Sequence, residues 1–171
     1  RDFQEKHPGI RLTFYEYGSA RAANLVQEEE LDVALVNLSQ TDPEKFHMLP
    51  IGRDHFVIAA DPNHPLAGRE SVTLEELEGR PLVMYNTDSV QNHVIRNRFD
   101  ALGIVPYVLI YTSQIHTMKS MIHNNTCVSF FYASLMQDHP DIVGVPLEPR
   151  IEQKVGLIWR KGKYTPAGVE A

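Results

Sequence analysis

The residues best suited to chemistry are hydroxyl and amide side chains that stand where predicted strands give way to predicted helices. Ser19 follows the strand-like residues 12–17, Ser113 follows residues 107–111, and Asn86-Thr87-Asp88-Ser89 follows residues 82–85. Such side chains cap helices, and the helix N-terminus beside them carries unpaired N–H groups and a partial positive charge. Several N-termini that meet in one crevice would bind a small anion, most simply a carboxylate. The candidate ligand contacts are Ser19, Asn37, Tyr85, Asn86, Thr87, Ser89 and Ser113. Taken singly, each hydroxyl is more simply a cap for its own helix, and the two roles are compatible because backbone N–H groups can bind a ligand while hydroxyls cap.

The stretch from Leu12 to Asn37 predicts a strand–helix–strand unit that would position two of these residues. Residues 12–17 are β-branched and aromatic, Ser19 is a suitable N-cap, and residues 20–31 are rich in helix formers. The apolar run at residues 33–36 is typical of a strand buried on both faces of a parallel sheet. In open α/β sheets the ligand crevice lies beyond the carboxyl ends of the strands, so we expect Ser19 and Asn37 to face it.

The remaining chain repeats the order strand, polar turn, helix. Thr73-Leu-Glu-Glu76 is a capping box, and Asn124-Asn125 ends a predicted helix because Asn tolerates the left-handed conformation. Thr165-Pro166-Ala167 begins a final predicted helix. The repeat predicts an α/β fold with mostly parallel sheets.

Composition excludes several functional classes. Net charge is −6, from 16 Lys and Arg against 22 Asp and Glu, which argues against this chain holding nucleic acid phosphates by itself. No apolar run approaches the roughly 20 residues that span a bilayer, so we expect no membrane partner. The single cysteine, Cys127, cannot form an internal disulfide, which is compatible with a cytoplasmic protein.

Metal and nucleophilic sites have little support in the sequence. His116 and His123 lie two helical turns apart, roughly 10 Å along the axis, which is too far for one ion without further ligands. Neither a His-Glu-x-x-His motif, a Cys-x-x-Cys pair, a Gly-x-Ser-x-Gly elbow nor a glycine-rich phosphate loop occurs. We therefore expect no metal, no cofactor and no catalytic residues, and we interpret Cys127 as a small core residue.

Five short motifs then occur in order along the chain. They are Phe3…His7-Pro8-Gly9-Ile10, Gly18-Ser19, Leu31-Asp32-Val33-Ala34-Leu35, His64-Pro65-Leu66-Ala67 and Trp159-Arg160-Lys161…Pro166. The ordered set spans nearly the whole chain, and it resembles the effector-binding domain of LysR-type transcriptional regulators.

The resemblance implies an α/β fold like that of type 2 periplasmic binding proteins, with two lobes, two crossover strands and a ligand cleft between the lobes. Lobe I would comprise residues 1–54 plus 157–171, with its N-terminal strand and C-terminal helix incomplete, and lobe II residues 55–156. The family's first strand and its Ser/Thr-bearing loop would precede Arg1. The DNA-binding winged helix-turn-helix of the family is absent from this sequence, so DNA would be reached only through that missing domain.

One departure from the family adds a candidate contact. The glycine-rich turn that the family places before a lobe II strand is Asn124-Asn125-Thr126-Cys127 here, which would bring larger atoms near the cleft. Cys127 therefore joins the candidate ligand contacts.

These expectations define a function and its alternatives. The resemblance implies a cytoplasmic, non-enzymatic domain that senses a small effector and forms a homodimer, or a tetramer in the full-length protein. The expectation that the effector is anionic rests on the converging helix N-termini. The alternatives are a stand-alone two-lobe solute-binding protein and an enzyme built on the same scaffold, and fold alone does not decide among them.

Overall fold

The computed structural model describes residues 2–162, in which four helices and seven strands follow one another. The helices are α1 (Asp2–Lys6), α2 (Ser19–Gln27), α3 (Val90–Ala101) and α4 (Ile115–His123). The strands are β1 (Ala34–Asn37), β2 (Phe46–Ala60), β3 (Leu82–Met84), β4 (Val108–Tyr111), β5 (Val128–Tyr132), β6 (Val143–Pro146) and β7 (Glu152–Arg160). Short 3-10 helices span Leu38–Gln40, Glu75–Leu77 and Ala133–Asp138. The helix predicted from Thr165 lies outside the described residues.

The long strand β2 joins the two halves of the sheet. The strand order is β1-β7-β2-β5-β3-β4, and β6 also pairs with β2. Residues 46–55 of β2 pair with β7, whereas residues 56–60 pair with β5 and β6. Residues 46–60 form one continuous strand, with a register shift against β7 between Pro50 and Gly52.

Two separate hydrophobic cores divide the chain into two lobes, which confirms the two-lobe α/β fold. The core of lobe I consists of Ala22, Val26, Ala34, Val36, Leu38, Phe46 and Ile158. The core of lobe II is larger, and its fully buried members include Phe56, Leu82, Phe99, Phe130 and Phe131. Ridges of α3 and α4 cover this core through Ile95, Phe99, Met118 and Ile122.

The direction of strand pairing requires a correction to the prediction. Among the described strands, only the pairings of β3 with β4 and with β5 are parallel, and the other pairings are antiparallel. The expectation of mostly parallel sheets was wrong here because β2 and β7 run antiparallel to each other and each also pairs antiparallel with a further strand. Parallel pairing is confined to the part of lobe II where a helix connects one strand to the next.

The predicted strand at residues 12–17 is also wrong. These residues form no ladder with the described chain, and the Phe14 side chain is 86% exposed. Residues 34–36 of the predicted run lie in β1, but Leu35 is 58% exposed, so the face of β1 that carries Leu35 is not fully buried. The cause is topological: β1 pairs with β7 alone, and α2 packs on one side of it. Composition had suggested burial on both faces.

Close packing of β7 against its neighbours depends on a glycine. A Cβ on Gly156 would lie 2.6 Å from the Leu49 carbonyl oxygen and 2.7 Å from Leu38 Cδ1. Because a side chain does not fit there, glycine lets β7 sit between β1 and β2. The same constraint explains why this strand interior tolerates a residue with poor strand propensity.

The predicted turn chemistry is confirmed in lobe II. The Thr73 N–H donates to Glu76 Oε2 at 2.9 Å, and the Glu76 N–H donates to Thr73 Oγ1 at 3.4 Å, which is the reciprocal pattern of a capping box. Asn125 has φ of 53° after α4, as expected for a left-handed residue that ends a helix. Within residues 2–162, no helix has both the length and the apolar character needed to cross a membrane.

Candidate functional site

A cleft of about 640 Å³ lies between the two lobes. Lobe I contributes the segment that leads into α2, including Tyr17, Gly18 and Arg21. Lobe II contributes Tyr85 and Asn86 after β3, Ser113 before α4, and Tyr132 at the end of β5. The cleft thus lies at the carboxyl ends of the lobe II strands, where α/β folds bind ligands.

The first turns of three helices reach this cleft. Lining residues include Ala20 and Arg21 of α2, Ser89 and Gln91 at the start of α3, and Ile115 of α4. The residues that precede α2 and α4, Gly18 and Gln114, make no side-chain capping hydrogen bond. Backbone N–H groups of those first turns are therefore not satisfied by a side-chain cap, and the partial positive charge of each helix end is directed at the cleft.

Ser19 has a different role from the one predicted. Gly18 is the N-cap of α2, and Ser19 is its first helical residue. The Ser19 Oγ accepts a hydrogen bond from the Asn37 N–H at 3.1 Å, which ties the start of α2 to the end of β1. Ser19 stands between the lining residues Gly18 and Ala20, but it is not itself among the lining residues.

Asn37 is buried, and its side chain joins the two lobes rather than lining the cleft. Its Nδ2 donates to Gln153 Oε1 at 2.5 Å and to the Tyr132 hydroxyl at 3.4 Å, and its Oδ1 accepts from the Ser39 N–H at 2.8 Å. Both functions of the amide are thereby occupied. The network places lobe I, the strand β7 and the end of β5 in direct contact behind the cleft.

Two tyrosines line the lobe II side, and their hydroxyls differ. Tyr132 accepts from Asn37, and its ring stacks on Phe56 with ring centroids 4.7 Å apart. Tyr85 is 5% exposed, and its hydroxyl has no hydrogen-bond partner among residues 2–162. Burial, with smaller contributions from Tyr132 and Asp54, raises the pKa of Tyr85 above its ordinary value, so the phenol stays neutral and can donate.

Only part of the polar run after β3, residues 86–89, lines the cleft. Asn86 and Ser89 line the cleft, and Thr87 does not. The Ser89 Oγ donates to the Asn86 carbonyl at 2.7 Å and accepts from the Asn92 N–H at 3.1 Å, so Ser89 is the predicted cap of α3. Its hydroxyl is fully used by the fold, and its contribution to a ligand would come from the backbone of the helix start.

Cys127 requires a correction, because it lies in the core of lobe II and not in the cleft. The side chain is 2% exposed, and burial raises the pKa of its thiol to about 11. It precedes β5, whose first residue Val128 pairs with Leu82 at the amino end of the parallel strand β3. Cys127 is therefore at the end of the sheet opposite Tyr85 and Tyr132, and only the core interpretation fits.

Sequence reasoning missed three charged cleft residues, Glu16, Arg21 and Asp88. The Arg21 guanidinium lies over the Tyr17 ring, 4.8 Å from its centroid, which is a cation–π geometry. A usable signal was present: Arg21 is two positions after Ser19, within the first helical turn, and Asp88 lies inside the polar run that was singled out. Within the described part of the chain, no cluster of three His, Cys, Asp or Glu side chains is placed to hold a metal ion.

The chain matches the family described as LysR substrate binding domain over residues 1–171, and it belongs to that family. The family consists of effector-binding domains of transcriptional regulators and not of enzymes. Among curated proteins, the chain is 22% identical to the HTH-type transcriptional regulator XapR of Escherichia coli K12, over 99% of this chain and 58% of that protein. Overall, the chain spans about half the length of the curated relatives it matches.

Solved effector-binding domains share this fold. The effector-binding domain of QuiR in complex with shikimate superposes with a TM-score of 0.85 at 18% identity, covering 99% of this chain and 82% of that one. The BenM effector-binding domain with its effector benzoate gives a TM-score of 0.80 at 18% identity, covering 98% of this chain and 77% of that one. Identities this low establish the architecture alone.

Proposed function

We propose that this chain is the ligand-sensing and dimerising part of a cytoplasmic LysR-type regulator, and that it binds a small anionic effector, most simply a carboxylate, between its lobes. The observation that carries the proposal is the convergence of the first turns of α2, α3 and α4 on one cleft. Aligned N–H groups and helix dipoles favour anions at such a position. Two similar domains are described with shikimate and benzoate, both of which are carboxylates.

The proposed contacts are divided between the lobes. In lobe I they are the backbone at Gly18 and Ala20, and in lobe II they are Tyr85, Asn86, Ser113 and the start of α3. The proposed lobe boundaries are residues 1–54 plus 157–171 and residues 55–156. Both cores agree with these limits, since every member of the smaller core falls in the first set and every member of the larger one in the second.

The proposed mechanism is a population shift. A ligand that contacts both lobes binds the closed arrangement more tightly, and it shifts the equilibrium by its difference in affinity for the two arrangements. The Asn37–Tyr132 hydrogen bond links lobe I to the cleft wall, so a change in lobe angle would reach this bond directly. A homodimer would transmit the change to DNA-binding domains in the longer protein.

The first test is a thermal-shift screen against carboxylates, phosphates, sugars and amines. A ligand at about 100 times its dissociation constant adds about 2.7 kcal/mol, which for a chain of this size raises Tm by roughly 5–10 °C. Ser113→Ala should weaken an anion that uses the start of α4. Ser120→Ala is the matched control, because Ser120 is exposed on the same helix outside the cleft. Stabilisation only by neutral or cationic compounds would contradict an anionic effector.

The dimer is tested separately by sedimentation. In lobe II, the sheet edge at β4 carries exposed apolar side chains, among them Tyr107, Leu109 and Tyr111. An exposed apolar edge of this kind favours association. We expect a dimer at micromolar concentration, and a strict monomer at several hundred micromolar would contradict this part of the proposal.

A further inference from the structure

We infer that the effector is amphoteric, of the amino acid class, with a protonated amine that contacts Glu16 and Asp88 in addition to its anionic group. This inference rests on the proposed function, because it concerns the ligand of the same cleft. It narrows the ligand from an anion to a compound that carries both charges.

The charged side chains of the cleft do not suit a simple anion. Glu16 and Asp88 both line it, and neither has a hydrogen-bond or ion-pair partner among residues 2–162. Arg21 is the one cation among the lining residues of the described chain, and its guanidinium already lies over Tyr17. Two carboxylates against one guanidinium give the described lining side chains a net charge of −1. A bare carboxylate drawn to the helix ends would be repelled by both acids.

An ammonium group resolves this conflict. It offers three N–H donors, and charge-assisted hydrogen bonds to carboxylates are stronger than neutral ones. Glu16 lies in the segment before α2 and Asp88 in the turn before α3, so one acid comes from each side of the cleft. A ligand whose amine is held by these acids, and whose carboxylate is held by helix N–H groups, makes contacts to both lobes with both of its charges.

Tyr85 supplies an independent observation that the cleft is built for a polar ligand. Its side chain is 5% exposed and lines the cleft, yet its hydroxyl has no partner among the described residues. No buried side-chain nitrogen or oxygen of the described residues lacks a hydrogen-bond partner, so the Tyr85 hydroxyl reaches the open cleft, where a ligand atom can meet it. The phenol can accept from an ammonium or donate to a carboxylate, and burial keeps it neutral by raising its pKa. It therefore complements a ligand with both groups.

The test uses matched triples of compounds with one carbon skeleton. Phenylalanine is compared with 3-phenylpropanoate and 2-phenylethylamine, leucine with 4-methylpentanoate and 3-methylbutylamine, and the other amino acids with uncharged side chains with their deaminated and decarboxylated analogues. Dissociation constants are measured by calorimetry for every compound that raises Tm. We expect at least one amino acid to bind the chain at least tenfold more tightly than both of its analogues.

Two substitutions assign the amine contact. Glu16→Gln and Asp88→Asn should each weaken that amino acid about tenfold or more, and leave its deaminated analogue unchanged or bound more tightly. Glu70→Gln is the control, because Glu70 is an exposed carboxylate outside the cleft. Glu16→Asp keeps the negative charge but shortens the side chain. We expect it to retain part of the amino acid affinity that Glu16→Gln loses, which would assign that part to the charge.

The outcomes distinguish the inference from the proposed function. If a deaminated acid binds as tightly as its amino acid, or if both substitutions leave amino acid binding unchanged, the amphoteric ligand is excluded and the anionic effector stands. If only amines bind, both the amphoteric ligand and the anionic effector are excluded. Binding of no carboxylate, amino acid, phosphate, sugar or amine at millimolar concentration would overturn the effector-binding proposal itself.

Discussion

Strands β1 and β3 have similar sequences but opposite environments. The run Val33-Ala-Leu-Val36 and the run Leu82-Val-Met-Tyr85 are both short and apolar. Leu82, Val83 and Met84 are each fully buried, whereas on β1 the buried Ala34 and Val36 flank Leu35, which is 58% exposed. β3 lies between β5 and β4 in a sheet covered by α3 and α4, while β1 is an edge strand with α2 on one face. An apolar run therefore identifies a strand without indicating how many of its faces are covered.

The same difference extends across the two lobes. In lobe II the core is continuous and includes four aromatic side chains at zero exposure, Phe56, Phe99, Phe130 and Phe131. In lobe I, Leu35, Leu157 and Leu49 stand opposite one another on three adjacent strands, and Leu35 and Leu49 are at least half exposed. Because buried apolar area supplies most of the stabilisation, we expect lobe II to dominate the free energy of unfolding.

The comparison between the two cores is tested most directly by replacing one phenylalanine in each core with alanine. Phe99→Ala in lobe II should lower the free energy of unfolding by about 3–5 kcal/mol, because the side chain is fully enclosed. Phe46→Ala in lobe I should cost less, about 3 kcal/mol or below, since that core is small and open beside the sheet edge. Urea unfolding of both variants measures the difference. Equal losses, or a larger loss at Phe46, would show that lobe I is as tightly packed as lobe II.

A second pair of substitutions tests the two faces of β1. Val36→Thr places a hydroxyl in the core of lobe I, where the side chain is 2% exposed, and should cost about 1–3 kcal/mol. Leu35→Thr, one residue earlier and on the open face, should change stability by no more than about 0.5 kcal/mol. Both variants introduce threonine, which is itself favoured in strands, so neither result reflects the introduction of a poor strand former. A comparable loss at Leu35 would mean that its face is covered in solution.

The difference between local sequence pattern and tertiary coverage also explains which predictions from sequence succeeded. The order of helices and strands from residue 82 to residue 160 follows from periodicity and turn residues, and each strand there has a partner strand. Residues 12–17 have strand composition but no partner strand among the described residues, and composition carries no information about partners. Edge position and coverage depend on tertiary arrangement, which overrides local propensity.

The site was predictable to a similar degree. Tyr85, Asn86, Ser89 and Ser113 were singled out because strand ends define the crevice of an α/β fold, and the structure places them on its wall. Thr87 and Cys127 were misplaced, the first because turn geometry decides which member of a polar run faces inward, the second because the amino and carboxyl ends of a strand were not distinguished. Glu16 and Arg21 were missed because their significance lies in charge balance across two lobes.

The smallest expected effect concerns the surface of lobe II, where ion pairs supplement the core. Asp141 Oδ2 contacts Lys119 Nζ at 3.0 Å and His123 Nε2 at 2.7 Å, so the loop before β6 is tied to α4. The Lys119 and His123 hydrogen bonds lower the pKa of Asp141 from 3.8 to about 2. A carboxyl whose pKa is lower in the folded state stabilises the fold above its unfolded pKa, and that contribution disappears as pH falls through the folded value.

The stability difference between the wild-type chain and Asp141→Asn should therefore be largest near neutral pH and shrink between about pH 4 and pH 2. Its size should be small, because exposed ion pairs contribute little and are screened by salt. Urea midpoints at pH 7, 4 and 2.5, in low and high salt, measure it. Asp138→Asn is the matched control, since Asp138 is exposed nearby and has no ion pair among the described residues. If the stability difference between the wild-type chain and Asp141→Asn stays constant with pH, packing rather than the ion pairs attaches this loop to α4. Lobe II would then be stabilised by its core alone.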